Sequence, residues 1–548
     1  MNHEGLGVKS NIHDAFSQTG LTSMAARRAD AVFYNGKVYT FDSDIRVARA
    51  LAVSGGEIIA VGTDSEIKGS APRGCDKYDL GGKVVVPGFI DSHTHFINMG
   101  IDMMNVDLMG TNSLDDAMGR MKTGSKKVVE GEWVIGAGWT ESRWPNGRFI
   151  TRDDLDSSCP NHPAVAHRLC MHMSSVNSRA IELLGLDASI PGVQCDANGR
   201  LTGILKESAV NIVRSATAPD KTRNVKALAA ATKRAHSLGV TSVQDNGLSE
   251  HLAVYLSAKR SGKLGVRVTF NVPAEQLDSM LKLSLSTGLG SDFLRIGGAK
   301  MFCDGALGAR TAALSEQYSD DPGNKGMFMQ ERGAFDEMVA KANGADIQLV
   351  IHAIGNMGIE AAISSIETAL EASPKRNHRH RIEHLELPSL QQLRRMQKLR
   401  LVASMQPNFI GEWGGTNGMY YSRLGETRAV RNNPFKEVLA ARVKMVFGSD
   451  CMPFSPLYGI LSAVNAPHDA QRITAEEAVA AYTREAAYAS FEENLKGTIT
   501  PGKLADLVIL SADPFVDTES LRSVTVLKTV VGGEIVYERT KPRTKPGA

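Results

Sequence analysis

Short apolar runs alternate with helical patterns between residues 86 and 494, and the strand, loop and helix unit repeats about eight times. Uninterrupted apolar runs of this length are typical of parallel strands that are buried on both faces. The alternation therefore predicts an α/β fold, a TIM-like (β/α)8 barrel whose chemistry lies on loops at the C-terminal strand ends. An open, doubly wound sheet is the structural alternative. The runs are Val84–Ile90, Val134–Ala137, Val240–Val243, Val266–Val272, Leu294–Met301, Ile347–Ile351, Arg381–His384, Leu401–Ser404 and Lys444–Phe447.

The two ends of the chain share a second pattern, short strands separated by turn signals. A hairpin is predicted around Asn35-Gly36, and similar strands return at Ala505–Leu510 and Ser523–Tyr537. We expect residues 31–85 and 495–548 to form one small β-sandwich domain from both termini.

The remaining segments follow from that division. Residues 1–30 are an N-terminal extension, and residues 86–494 form the barrel. The stretch at about 100–215 is longer than one strand and helix unit requires, so we interpret it as an insertion that shapes the substrate site.

Composition excludes several classes of partner. The 62 basic and 60 acidic residues leave a net charge of +2, too weak a field to favour nucleic acid. No run approaches the roughly 20 apolar residues that a membrane span requires. The first 30 residues lack a secretory signal and the six cysteines form no CxxC pair, so a cytoplasmic protein is expected. A small-molecule substrate and a homodimeric assembly are the remaining expectations.

The segment Pro87–His95 ends the first barrel strand with two histidines. His93 and His95 are two residues apart, so an extended backbone points both imidazoles to one face, where they can chelate one cation. Such a pair alone is a weak signal. A second HxH pair, His378 and His380, lies in a basic linker and is interpreted as solvated.

Three further candidate ligands occupy equivalent places on later strands. His352 and His384 each follow an apolar run, and Asp450 follows the last one in Val446-Phe-Gly-Ser-Asp450. A carboxylate there can ligate a metal and accept a proton from water. Four histidines and one aspartate at strand ends predict a metal centre.

These motifs together resemble the amidohydrolase superfamily of metal-dependent hydrolases. The resemblance rests on PGFIDSHTH, on the strand-end histidines and on the GSD triplet, and it covers nearly the whole chain. Other segments resemble the branch that includes N-substituted formamide deformylase. They are Gly138–Glu141, Leu201–Glu207, Gly298–Gly305 and Thr500–Asp506.

The resemblance implies a site and a reaction. The implied metal ligands are His93, His95, Lys300, His352, His384 and Asp450. Lys300 would be N6-carboxylated and would bridge two divalent ions, with zinc favoured, while Glu207 is a competing anionic ligand that leaves a one-metal site open. The expected activity is hydrolysis of an amide, N-formyl or N-acyl C–N bond by a metal-bound hydroxide, with Asp450 moving the proton. The alternatives are a mononuclear deaminase of a ring amine and a regulatory or binding protein on a decayed hydrolase fold.

Further residues are candidates for contact with the substrate. His172 is a candidate catalytic donor that polarises a carbonyl, although Met171 replaces the glycine that usually precedes it in this branch. Arg310, on a glycine-rich loop after the Lys300 strand, is a candidate clamp for a substrate carboxylate. The other candidate substrate-binding residues are Trp139, Glu141 and Glu207.

Overall fold

The computed structural model describes residues 28–540 except positions 45, 142, 143, 146 and 169–172. The chain begins with a β-rich segment that contains one short helix. Its elements are β1 (Ala31–Tyr34), β2 (Lys37–Tyr39), β3 (Val47–Ala48), β4 (Ala50–Ser54), β5 (Glu57–Gly62), α1 (Asp64–Ser70), β6 (Asp76–Asp79) and β7 (Val84–Pro87).

The first barrel strand, β8 (Phe89–Thr94), and helix α2 (Phe96–Met104) lead into the insertion. The insertion has a six-stranded sheet of its own, in the order β13-β14-β12-β11-β10-β9. It is built from β9 (Val106–Asp107), α3 (Leu114–Ser125), β10 (Val134–Trp139), α4 (Arg152–Ser158), β11 (Ala164–Arg168), β12 (Met173–Val176), α5 (Ser178–Leu184), β13 (Val193–Cys195), β14 (Leu201–Lys206) and α6 (Ser208–Ala216).

After the insertion, all strands up to β21 belong to the eight-stranded barrel sheet. Its elements are α7 (Lys221–Ser237), β15 (Val240–Asp245), α8 (Ser249–Arg260), β16 (Arg267–Pro273), α9 (Leu277–Lys282), β17 (Leu294–Phe302), α10 (Arg332–Gly344), β18 (Leu349–Ala353), α11 (Asn356–Ala372), β19 (Arg381–His384), α12 (Leu390–Leu399), β20 (Val402–Met405), α13 (Asn408–Trp413), α14 (Met419–Ala429), α15 (Phe435–Ala440), β21 (Lys444–Phe447), α16 (Pro456–Val464), α17 (Ala475–Ala481) and α18 (Arg484–Ala489). Within the described part of the chain, no helix is long and apolar enough to cross a membrane.

The eight-stranded sheet runs in the order β21-β20-β19-β18-β17-β16-β15-β8, and its paired strands are parallel. Side chains join its two edges. The Asp91 carboxylate on β8 accepts hydrogen bonds from the backbone N–H of Ser449 at 2.9 Å and from its hydroxyl at 2.5 Å. The predicted TIM-like barrel is confirmed, and the C-terminal ends of all eight strands lie at one mouth.

One predicted strand lies in a different sheet. The run at Val134–Ala137 belongs to β10, which pairs with β9 and β11 inside the insertion. An apolar run indicates burial but does not specify the sheet that buries it. With β10 removed, β17 is the fourth barrel strand, and it carries Lys300.

Both termini contribute strands to the remaining β-structure. The chain returns with β22 (Leu507–Leu510), α19 (Thr518–Ser523), β23 (Val526–Val531) and β24 (Glu534–Glu538). Strand β22 pairs with β7, placing Val508 opposite Val86. A buried ion pair, with Arg267 Nε 2.7 Å from an Asp506 carboxylate oxygen, fastens this segment to barrel strand β16.

Candidate metal centre

The paired histidines at the end of β8 have their rings oriented by other parts of the chain. His93 is 1% exposed, and its Nδ1 contacts the carboxylate of Glu383. His95 Nδ1 donates to the carbonyl oxygen of Asn246 at 2.9 Å. Their Nε2 atoms lie 3.7 Å and 3.3 Å, respectively, from Asp450 Oδ1. A partner at one ring nitrogen leaves the other free to bind a metal.

Asp450 reaches this pair because the loop after β21 turns sharply. Its φ of +50° is in the left-handed region, and its backbone N–H donates to the His93 carbonyl at 2.8 Å. Gly448 makes the close approach possible, since a Cβ there would lie 2.4 Å from the His93 nitrogen. Burial alone would raise the pKa of Asp450, but the hydrogen bond with His95 holds it below its ordinary value.

The second pair of histidines lies beside the first. The ring centroids of His352 and His384 are 4.4 Å apart, and those of His93 and His384 are 4.8 Å apart. His352 Nε2 donates to the carbonyl of Gly305 at 3.0 Å. Burial, with the Lys300 charge, lowers the pKa of His352 to about 4, and burial, with His352, lowers that of His384 well below its ordinary value. Both imidazoles are neutral at pH 7, which is the form that ligates metals.

The positive charge of Lys300 acts on every other predicted ligand. Its side chain is 5% exposed, and its charge shifts the pKa of each of the five other candidates. Burial lowers the pKa of Lys300 to about 8, against the opposing pull of Glu383 and Asp450.

Two buried nitrogens in this cluster lack hydrogen-bond partners among the described residues, Lys300 Nζ and His384 Nδ1. An unpaired buried polar group is costly, so such atoms indicate a missing ligand. His93, His95 and Asp450 also bring their ligand atoms within 4.8 Å of one another. Imidazoles with a carboxylate suit divalent transition metals, so these residues fit a metal centre.

Glu383 was not predicted from the sequence, although its carboxylate contacts the ring of the proposed ligand His93. Its carboxylate is fully buried and is shared by the His93 ring, the Arg381 guanidinium and the Ser404 hydroxyl. Burial would raise the pKa of Glu383, but Arg381 holds it below its ordinary value. The available signal was the pair Arg381 and Glu383, two charges with strand period two in a run predicted to be buried.

Trp139 lies in the core of the insertion, so its predicted role at the substrate is not supported. Its side chain is 0% exposed, its indole N–H donates to the Ala166 carbonyl at 3.0 Å, and its ring stacks on Trp144. A tryptophan after a strand fills a core as readily as it lines a pocket. In this conformation it has no free surface for a ligand.

The charged residues predicted to contact the substrate are paired with other side chains or lie elsewhere. Glu141 forms an ion pair with Arg168 at 2.8 Å, and Arg310 is held by two oxygens of Asp320, each at 3.0 Å. Glu207 is exposed and directly precedes α6 in the insertion, whereas the predicted ligands Lys300, His352 and His384 are buried. His172 lies outside the described residues.

The second HxH pair is buried, so the prediction that it is solvated is wrong. His378 Nε2 lies 2.9 Å from the Leu399 carbonyl, and His380 Nδ1 accepts from the Leu349 N–H at 3.0 Å. His380 also contacts the Asn343 side chain. These rings lie at the N-terminal end of β19, the end away from the candidate metal centre, and each has a structural hydrogen-bond partner.

The comparisons with known proteins agree with this geometry. The sequence profile of the amidohydrolase family matches residues 76–537. The chain belongs to the amidohydrolase family. Protein LONG AFTER FAR-RED 3 of Arabidopsis thaliana is 32% identical to this amidohydrolase over 94% of the chain and 93% of its own length.

Two more relatives bear on the chemistry of this amidohydrolase. N-substituted formamide deformylase of Arthrobacter pascens is 29% identical, with 93% of this chain and 99% of the relative covered. The crystal structure of an uncharacterized metal-dependent hydrolase from Pyrococcus furiosus aligns with a TM-score of 0.74 at 30% identity, covering 88% of this chain and 99% of that chain. The resemblance inferred from the motifs is confirmed, and a metal-dependent hydrolase is the supported class.

Proposed function

We propose that this amidohydrolase hydrolyses an amide-type C–N bond, N-formyl or N-acyl, of a small molecule. The observation that carries the proposal is the grouping of four imidazoles, Asp450 and the unpaired Lys300 amine at one barrel mouth. The likeness to N-substituted formamide deformylase over nearly the whole length of both chains supports the choice of bond.

The proposed cofactor is a pair of divalent cations, with zinc favoured. His93, His95 and Asp450 would hold one cation and His352 with His384 the other, while Lys300 carboxylated by CO2 would supply a shared anionic ligand. A bound divalent cation lowers the pKa of water towards neutrality and polarises a carbonyl oxygen. The buried Lys300 Nζ with no hydrogen-bond partner among the described residues supports this role, because a structural lysine in such a place would have an anionic partner.

Asp450 is the proposed proton carrier. Its side chain is 17% exposed at the mouth, and its low pKa keeps the carboxylate ionised and able to accept a proton. The carboxylate would take a proton from the attacking water and return it to the departing nitrogen. His95 Nε2, 3.3 Å from the Oδ1 atom, would ligate the same cation as this carboxylate.

The direct test is a substrate screen on the purified full chain after metal content has been measured. The panel contains N-formyl, N-acyl and cyclic amides together with aminated aromatic rings. Release of a carboxylic acid and an amine supports the proposal. Release of ammonia from the rings instead would assign the chain to the deaminase alternative, and no turnover of any compound by the metal-loaded chain would refute a hydrolase of this class.

Metal counting tests the bridge separately. We expect about two equivalents per chain and activation by bicarbonate, because CO2 is needed to cap the lysine. Lys300→Ala should lose metal and activity, whereas Lys341→Ala, which removes an exposed ion pair with Asp278, should lose neither. A Lys300→Ala protein that keeps two metals and full turnover would exclude the carboxylated lysine.

A further inference from the structure

Exposed apolar side chains border the candidate metal centre. Phe302 is 41% exposed although it directly follows a buried strand segment. Single exposed apolar residues are ordinary, but a group of them at one functional mouth marks a contact surface for a ligand. We call this group the apolar rim, and its members are Phe302, Met327, Phe328, Met329, Met357 and Met452.

Phe302 connects the rim to the centre. It lies two residues after Lys300, whose Nζ is 4.9 Å from the phenyl centroid. The same ring lies 5.2 Å from the ring of His352. Phe302 therefore lies beside two proposed ligands, while 41% of its surface remains exposed to solvent.

The segment 327–329 runs alongside the exit of the Lys300 strand. The backbone N–H of Met329 donates to the Cys303 carbonyl at 3.0 Å, and Phe328 forms a β-bridge with Asp304. These bonds fix three consecutive exposed apolar residues next to Phe302. Backbone contacts therefore hold this segment at the mouth of the barrel.

The rim continues at two other strands that carry proposed ligands. Met357 is in the first turn of α11, five residues after His352, and its N–H donates to the Ala313 carbonyl at 3.0 Å. Met452 lies two residues after Asp450, and its N–H donates to the Ser449 carbonyl at 3.0 Å. Methionine side chains adapt to apolar groups of varied shape.

Two arginines near segment 327–329, one on the loop after β17 and one on α14, are already paired with a carboxylate. Arg310, predicted to clamp a substrate carboxylate, is bound in a bidentate pair to Asp320. Arg423 binds the same carboxylate. A substrate carboxylate would have to displace Asp320 from these arginines, whereas an uncharged apolar group meets no such cost.

We propose that Phe302 determines specificity, and that with the apolar rim it receives a bulky, uncharged apolar substituent of the substrate. The inference rests on the proposed function and narrows it. The substrate class is an amide that carries an aryl-alkyl or large alkyl group, and N-acyl amino acids are disfavoured.

The test compares three formamides on the zinc-loaded full chain. N-(2-phenylethyl)formamide carries the apolar group, N-formylphenylalanine adds a carboxylate to it, and N-methylformamide lacks it. The first should have a kcat/KM at least about tenfold above each of the others, as expected for burying a phenyl group. Phe302→Ala should remove most of that advantage through KM, with a much smaller loss for N-methylformamide than for N-(2-phenylethyl)formamide.

Two further variants separate specificity from structure. Phe302→Leu restores an apolar side chain and should recover most of the preference. Leu283→Ala, at a 70% exposed leucine beyond α9 at the opposite end of the barrel strands, should leave all three substrates unchanged. A wild-type preference for N-formylphenylalanine, or equal losses on the large and small formamides in Phe302→Ala, would overturn the inference.

Binding distinguishes failure of this inference from failure of the proposed function. Calorimetric titration of the metal-free chain with N-(2-phenylethyl)formamide should show saturable binding that Phe302→Ala weakens about tenfold. Binding that depends on Phe302, without turnover by the zinc-loaded chain, would refute amide hydrolysis but keep the apolar site. Turnover with binding that does not depend on Phe302 would overturn the apolar site alone.

Discussion

Replacing Glu383 by glutamine tests how His93 is prepared for a metal. The carboxylate now accepts hydrogen bonds from Arg381 Nε at 2.5 Å and from the Ser404 hydroxyl at 2.8 Å, and it contacts His93 Nδ1. An amide has one acceptor oxygen and one donor nitrogen in place of two oxygens. In either orientation, the amide nitrogen that Glu383→Gln introduces faces another hydrogen-bond donor, either the Arg381 guanidinium or the His93 N–H.

The magnitude follows from burial and from the role of the carboxylate. Glu383 is 0% exposed, so its loss leaves the buried Arg381 charge uncompensated, which costs about 3–5 kcal/mol of stability when a partner is removed. Removing the group that orients a metal-binding imidazole lowers metal affinity by about 10–100-fold. We therefore expect Glu383→Gln to lose both stability and zinc affinity.

The assay is a competition titration of zinc against a chromophoric chelator, with urea unfolding of the same preparations. Ser404→Ala is the matched control, because the Ser404 hydroxyl bonds Glu383 at 2.8 Å and Arg381 Nη2 at 2.9 Å. It should cost about 1 kcal/mol and leave zinc affinity nearly unchanged. Wild-type zinc affinity in a folded Glu383→Gln protein would refute the orienting role of this carboxylate.

Three further outcomes are expected. Asp450→Asn should keep its circular dichroism spectrum and part of its metal but lose at least about 100-fold in kcat, and near-normal turnover would remove Asp450 as the proton carrier. Trp139→Ala should lower the free energy of unfolding by about 3–5 kcal/mol in urea titrations, while Trp139→Phe keeps KM unchanged; a raised KM would return this residue to the substrate site. Burial, with the charge of His378, holds the pKa of His380 well below its ordinary value, so below about pH 6.5 the unfolded chain binds a proton that the folded chain excludes. Stability should fall on acidification by up to about 1.4 kcal/mol per pH unit for this group, and His380→Gln should show a shallower slope in unfolding titrations from pH 7 to 5.

The barrel and the candidate ligands were predictable because their signals are local. An apolar run identifies a buried strand, and a histidine or aspartate directly after the run must lie at the C-terminal mouth if the strands are parallel. His93, His95, His352 and His384 are examples of this reasoning. The same logic located Asp450, which is brought close to His95 by the turn after β21.

Only the tertiary structure decided which partners these residues meet. Glu383 is 290 positions from His93, and nothing in either segment specifies their contact. Trp139 ends a strand and Arg310 follows one, as a substrate-binding residue would, yet one is packed on Trp144 and the other is paired with Asp320. Sequence determined the strands and the ligand types, since periodicity and residue chemistry are local properties. Burial and pairing depend on segments far apart in the chain, so the fold alone decided them.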